Sequence, residues 1–478
     1  MRTNEIIKEF QTPTLERNFL RLLRLLIVLW VIGLTTIPVQ AETIRVKSAD
    51  EAKAGLQRAQ PGDEIVLANG SYPDFKLNLS ATGEAARPIV LRAELPGKVI
   101  LTGQPELDFT GSYIEVRDLT LINCELIAAK RGLIQFDNST HCRLTGCRFE
   151  HVKPGYYATV NFRNAASDNR LDHCRFIDIR YRSIIVLVDD NSLHEGPPAR
   201  NRIDHNLFQD VPPMGKNGAE TIQIGQSAIP YADLRTETLV ENNLFVRCNG
   251  EGEIISVKST GNTIRHNEFR DCQGEVVNRT GHENVYEGNR FENCNGGIRL
   301  SNHGHRVTGN VMIRCRETGI ILYYGTADTQ HPAAYLPVYG CVITNNTIVD
   351  CGQFGIILGI NRNARHEQAF WAKSPYFANA VMECTIAPHE NRIAKNIITG
   401  SKGVLFKLNE TPDNTFKDNL LYATGEAVVG NTNGRSLTGD PGFNNAAEGD
   451  YRLSSASLAR AVGVGAAAEP FPAGPDAK

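Results

Sequence analysis

Ten segments of the chain repeat one pattern: CRLTGCRFEHV, NRLDHCRFIDI, NRIDHNLFQDV, TLVENNLFVRC, NTIRHNEFRDC, NVYEGNRFENC, HRVTGNVMIRC, CVITNNTIVDC, NRIAKNIITGS and NTFKDNLLYAT. Each reads apolar, two variable residues, Asn, one variable residue, Phe or an aliphatic, then Cys or an aliphatic three places on. The sixth position is Cys147, Cys174, Asn206, Asn243, Asn267, Asn289, Asn310, Asn346, Asn396 and Asn419. From Asn243 to Asn267, Asn289 and Asn310 the steps are 24, 22 and 21 residues. A period of this size marks a solenoid, in which each unit buries its apolar face only by stacking on the next.

The residues within a unit select the kind of solenoid. Val, Ile, Thr and Phe alternate with polar residues, no ten-residue stretch has helical periodicity, and the Leu spacing of a leucine-rich repeat is absent. The expected fold is all-β: a single-domain right-handed parallel β-helix with turns stacked at about 4.8 Å. Asn at a fixed turn fits a ladder of side-chain amides that bond the next turn's backbone and tolerate left-handed φ. Phe208, Phe245, Phe269 and Phe291 are expected to stack inside. The sequence predicts a capping helix over Ala49–Gln60, and last strands from GDPGFNNAAEGDYRLSSASLARAVG. The longer gaps, 207–242, 311–345 and 347–395, are expected to be loops that build a binding face.

The N-terminus differs in character. Arg21 and Arg24 precede the apolar run LLIVLWVIGLTTIPV and then VQA, the layout of a secretory signal, so residues 1–41 are expected to be removed after Ala41. The domain then spans 42–465 and a tail 466–478, in a periplasmic or secreted protein without stable membrane insertion. Eleven cysteines in an exported chain would ordinarily suggest disulfides. Most recur at one place in the repeat, however, and are expected to be reduced core thiols. A net charge of −3 gives no basic excess for nucleic acid.

The repeat register places the charged residues. In EGEIISVKS, Glu251 and Glu253 are i and i+2, expected on one face of a strand. Lys258 lies nine residues before Asn267 and Arg279 ten before Asn289, so the two should be neighbours on adjacent turns. With about 11 residues of IPYADLRTETL counted as an insertion, Asn217 and Glu220 fall near the phase of the two glutamates. Clustered carboxylates repel unless a cation offsets them, and Asn and Glu oxygens are hard ligands suited to Ca²⁺. From spacing alone the same residues equally make a solvated ladder of surface charges.

NGAETIQIGQS resembles the NGxExxRxGxS signature of polysaccharide lyase family 6, the alginate lyases and chondroitinase B. EGEIISVKSTGNTIRHNEFRDCQG is similar to that family's following segment, and PGDEIVLANGSY, RPIVLRAE and PGKVILTG to its first turns. The resemblance covers most of 42–450. It implies that Asn217, Glu220, Glu251 and Glu253 surround Ca²⁺, that Lys258 is the Brønsted base and that Arg279 is the Brønsted acid. The implied reaction is β-elimination on a uronate in an acidic polysaccharide. Lys258 would have to be neutral, a form that the positive charge of Arg279 and of Ca²⁺ favours. Arginine is a poor formal proton donor, so Arg279 can act by charge, with water supplying the proton.

The sequence departs from the family pattern twice: Gln223 stands where Arg is usual, and Thr280 where His follows the catalytic Arg. Arg299, in GGIRLSNHGH, matches a family GGIR element and is expected to bind a substrate carboxylate bidentately. Gln223, His303, His305, Tyr323 and Tyr324 are further candidates for the substrate groove. Alginate is the first expected substrate and dermatan sulfate the second. The competing readings are a β-helix glycoside hydrolase, which needs two or three aspartates across a groove, and a non-catalytic carbohydrate-binding protein, which has no need of Lys258 beside Arg279.

Overall fold

The computed structural model describes residues 41–126, 131–154, 157–215, 217–227, 229–327, 334–360, 384–400, 403–410, 413–423, 425–466 and 473–476. The expected signal segment up to residue 40 and residues 361–383 of the 347–395 loop lie outside the described residues.

Successive short strands coil into a right-handed parallel β-helix. Each turn adds one strand to each of three sheets, of 14, 13 and 14 described strands, and every pairing within them is parallel. The first sheet runs from Thr43–Val46 to Thr415–Lys417, the second from Lys76–Leu79 to Val428–Val429, and the third from Gly70–Pro73 to Ser436–Thr438. A helix, Ala49–Arg58, packs on the first turns through Ala52, Gly55 and Leu56, and Ser48 caps it by accepting from the Glu51 N–H.

Alternation along each strand sends one set of side chains inward, where identical residues meet in register. Phe149, Phe176, Phe208, Phe245, Phe269 and Phe291 form one column with ring centroids 4.6–5.0 Å apart. All eleven cysteines are buried and unbridged; Cys248 N–H lies 3.4 Å from Cys272 Sγ on the next turn.

The asparagine ladder runs from Asn206 to Asn419. Asn206 Oδ1 accepts from Cys174 N–H, and from Asn243 on each side-chain oxygen accepts from the backbone N–H and the amide of the Asn one turn earlier, as Asn267 Oδ1 does from Asn243 at 3.0 Å for both bonds. The ladder thus bonds mainly backward, to the preceding turn. The left-handed residue is also not the ladder Asn but the one before it: His205, Asn242, His266, Gly288, Gly309, Asn345, Lys395 and Asp418 all have φ between 52° and 66°. Asn267 is fully buried, and its amide also donates to Val240 O and Arg265 O. Asn267→Ala strands these partners without water, so a loss of about 3 kcal/mol is expected in urea unfolding.

A second ladder occupies the first residue of the repeats: Asn169 with Asn201, Asn262 with Asn284, and Asn391 with Asn414. His305 continues it, accepting at Nδ1 from Asn284 N–H at 3.2 Å and donating from Nε2 to Ser301 O at 3.0 Å.

The C-terminal segment differs from expectation. Phe443–Asn445 and Asp450–Leu453 make an antiparallel hairpin outside the three sheets instead of adding turns. The physical reason is cover for an outward apolar face: Phe443, Tyr451 and Ala466 pack on Val311, Ile313 and Val349 of the third sheet. Beyond it, Gly474 N–H donates to Asn242 O and Asp476 pairs with Arg175.

Candidate active site

The outward face of the second sheet gathers the predicted charges. Strands Ile222–Gly225, Glu253–Lys258 and Glu275–Asn278 lie side by side, with Gly225 paired to Lys258 and Val257 to Asn278. Glu220 and Glu253 therefore stand two residues before the paired Ile222 and Ile255, and Arg279 one residue beyond the pair Val257–Asn278. Lys258 and Arg279 are neighbours on adjacent turns, as the register predicts; Arg279 N–H donates to Val257 O at 2.7 Å.

Carboxylate oxygens of Glu220, Glu251 and Glu253 all lie within 4.8 Å of one another. Glu251 is not on the strand, which begins at Glu253; it sits in the preceding turn, between Gly250 and Gly252, and reaches the same face from there. Asn217 is exposed in the turn before Glu220, and the next residue, Gly218, donates its N–H to Glu251 Oε2 at 3.2 Å. Glu251 Oε1 is buried without a hydrogen-bond partner. Burial, followed by the charges of Glu220 and Glu253, pushes the Glu251 carboxyl up to about 8. An orphaned buried oxygen in a set of hard oxygen donors fits a divalent cation, which would satisfy it and offset the repulsion.

Lys258 is buried, and its Nζ donates to Glu220 Oε1 at 2.8 Å; Arg182 Nε donates to Glu220 Oε2 at 2.8 Å. Burial alone would raise the Glu220 carboxyl, but the two cations outweigh it and hold the group well below the ordinary range. Arg279 places its guanidinium 3.8 Å from the centre of the Tyr335 ring and donates to Ala334 O at 3.1 Å.

Arg299 does not stand open for a substrate carboxylate. It donates from Nη2 to Glu253 Oε1 at 3.0 Å and from Nη1 to the Tyr323 hydroxyl at 2.9 Å. Its Nε lies 3.1 Å from Glu275 Oε1, an ion-pair distance at an angle too poor for a hydrogen bond. Tyr323 borders the face through that contact and through Tyr335, 5.2 Å away. The other groove candidates are buried or have their ring faces covered. His305 is a ladder residue with no exposed surface, and burial pushes it down to about 3. Tyr324 follows the strand Thr318–Tyr323 and is buried outside the main core, in a cluster with Ala334 and Cys384, and it donates to Asn409 O at 3.1 Å. His303 is stacked between His282 and Tyr339, each 4.7 Å away, so both ring faces are covered and neither can receive a sugar.

The two departures from the family pattern have defined places. Gln223 donates to Gly225 O and Gln226 Oε1, both at 2.7 Å, and leaves its own buried Oε1 unpartnered. Thr280 is buried and donates from Oγ1 to Lys258 O at 3.1 Å, so it supports the backbone beneath the lysine. Gly225 has φ +87°, and a Cβ there would lie 2.7 Å from Lys258 C and O. Gly225→Ala should thus displace the Lys258 backbone and cost about 1–3 kcal/mol in urea unfolding.

The sequence reading missed Arg182, Glu275, Ser256, whose hydroxyl donates to Glu253 Oε2, and Tyr335. Glu275 had a signal: EVVNR repeats the spacing of EIISVK one residue shorter, and the structure shows the irregularity that absorbs the difference, between Glu253 and Ile255.

A three-sheet β-helix carrying a lysine, an arginine and a carboxylate cluster on one face has close counterparts. The sequence profile of a family described as Chondroitinase B matches residues 46–449, and the chain belongs to that family. It is a polysaccharide lyase of family 6. A mannuronic acid specific polysaccharide family 6 lyase from human gut microbiota is similar at 28% identity over 85% of this chain and 93% of its own, with a TM-score of 0.71. The family 6 alginate lyase AlyGC is similar at 26% identity over 90% of this chain, also with a TM-score of 0.71. This chain spans 59% of AlyGC. No curated protein matches the sequence significantly.

Proposed function

We propose that the chain cleaves alginate by calcium-assisted β-elimination, leaving 4,5-unsaturated uronate ends. The observation that carries this reading is a buried lysine amine in register with an arginine, beside carboxylates grouped as ligands rather than opposed across a groove. The named substrate of the 28%-identical gut lyase favours alginate; the description of the family profile favours dermatan sulfate as the second substrate.

Glu251 and Glu253, with Asn217 beside them, would hold the cation. Bound there, Ca²⁺ supplies positive charge that withdraws electrons from the uronate carboxylate. Lys258, as the neutral amine, takes the C5 proton. The C5–H electron pair becomes the C4–C5 double bond, and the C4–O4 bond breaks with its pair on the departing oxygen. Arg279, held over the Tyr335 ring, would face that oxygen and offset its charge while water supplies the proton. Export through the N-terminal segment is part of the proposal, tested by the N-terminal residue of the protein recovered from periplasm or medium.

Mixing the protein with alginate should raise the ultraviolet absorbance of unsaturated uronate. No rise with alginate, dermatan sulfate or other uronate polymers would sink the lyase reading of this site. Poly-mannuronate and poly-guluronate blocks then read the sugar preference.

A further inference from the structure

Glu220 is 1% exposed, and a cation occupies each of its oxygens: Lys258 Nζ on Oε1 and Arg182 Nε on Oε2, both at 2.8 Å. Arg182 opens the strand Arg182–Val186, which pairs with Ile222–Gly225, so it approaches from the turn opposite Lys258. Its side chain is 8% exposed. Glu251 contrasts with this arrangement, since one of its oxygens is buried without a hydrogen-bond partner.

We propose that Arg182 is a positioning residue for Lys258, acting through Glu220, and that Glu220 belongs to this relay and not to the ligand set of a bound divalent cation. The inference rests on Lys258 being the base of the proposed reaction. A lysine amine is a compact point charge on a flexible four-carbon stem, with no preferred direction of its own. One bond to Glu220 leaves the carboxylate free to turn, and the amine would turn with it. A second charge-assisted bond on the far oxygen removes that freedom, because both bonds are buried and each fixes the carboxylate plane. With one N–H of the neutral amine held on Oε1, its lone pair points away from Glu220. After proton uptake the same bond remains and the carboxylate offsets the new charge. A divalent cation on Glu220 would meet two buried positive charges, Lys258 and Arg182, already 2.8 Å from its two oxygens, and like charges there repel.

The test compares the full-length chain with Arg182→Met, Arg182→Lys, Glu220→Gln and Glu251→Gln. It reads steady-state kinetics on the polysaccharide the wild type cleaves and, without substrate, terbium luminescence as a probe of the calcium site. Arg182→Met should lower kcat about 10- to 100-fold with KM changed by less than about threefold, and Arg182→Lys should recover part of the loss. Glu220→Gln should bind terbium as the wild type does, while Glu251→Gln should not. A raised KM at unchanged kcat would make Arg182 a substrate contact and overturn the proposal, as would loss of terbium binding in Glu220→Gln. If Arg182→Met fails to fold, Arg182→Lys decides: a lower kcat at unchanged KM and terbium affinity supports the relay, and an unchanged kcat overturns it. A wild type that releases no unsaturated product from any uronate polymer overturns the lyase reading itself, whereas active wild type with indifferent Arg182 variants overturns only this inference.

Discussion

Lys258→Ala is expected to reduce the rate of unsaturated product formation about 1,000-fold, the scale of a general base removed from a positioned site. The side chain is 10% exposed and its amine is held on Glu220, so its truncation removes a positioned amine from a buried place. Loss of turnover alone does not separate a base from a charge. Lys258→Arg does: the guanidinium keeps a cation facing Glu220 but cannot give up its proton near neutral pH. Its activity should fall nearly as far as that of the alanine variant, with thermal unfolding close to wild type because the buried carboxylate remains paired. An arginine variant retaining a tenth or more of wild-type kcat would show that the position supplies charge and not a proton acceptor. Arg279→Ala complements the pair, since the proposed reaction sets that residue against the leaving oxygen; its loss should lower kcat more than KM.

How much of this was legible depended on whether the repeat carried it. The period and the Asn column gave the β-helix and the inward phenylalanines, because a solenoid restates its register at every turn. The same register brought Lys258 beside Arg279 from residue counts alone. It failed where the period is broken. Glu275 was hidden by the irregularity between Glu253 and Ile255, and Arg182 by the 38 residues that separate it from Glu220. The second ladder was written in the first letters of the repeats, but Thr238, His305 and Cys341 interrupt its column of asparagines. Residue type misled at His305, which stands in the second ladder, and at Tyr324, which is buried in a side cluster with Ala334 and Cys384. At Arg299 it found the right face but not the partners, since Glu253 and Glu275 claim the guanidinium from the turns beside it. Nothing in the repeat foretold the hairpin of 443–453, whose apolar residues serve the outside of the third sheet.

Cation removal should act on stability with a sign fixed by Glu251. Burial, then the charges of Glu220 and Glu253, raises this carboxyl from 4.5 to about 8. Between those values the folded, cation-free chain holds a proton that the unfolded chain has released, so its stability falls as pH rises through that window. Glu220 does not confuse the measurement: its folded carboxyl is lowered, and the stability it contributes is lost only as pH falls below the ordinary carboxylate value. A divalent cation binds the ionised Glu251 and competes with the proton. The gain in Tm on adding calcium to chelator-treated protein should therefore grow from about pH 5.5 to about pH 8, reaching roughly 3–5 °C when the cation is about 100-fold above its Kd. Glu251→Gln, which cannot ionise, should flatten the pH dependence of the cation-free Tm and remove most of the calcium gain. A calcium gain independent of pH, or one undiminished in Glu251→Gln, would place the cation elsewhere on the chain. Because Glu253 is already bound to Arg299 and Ser256, Glu251 is the residue whose ionisation has most to gain from the metal.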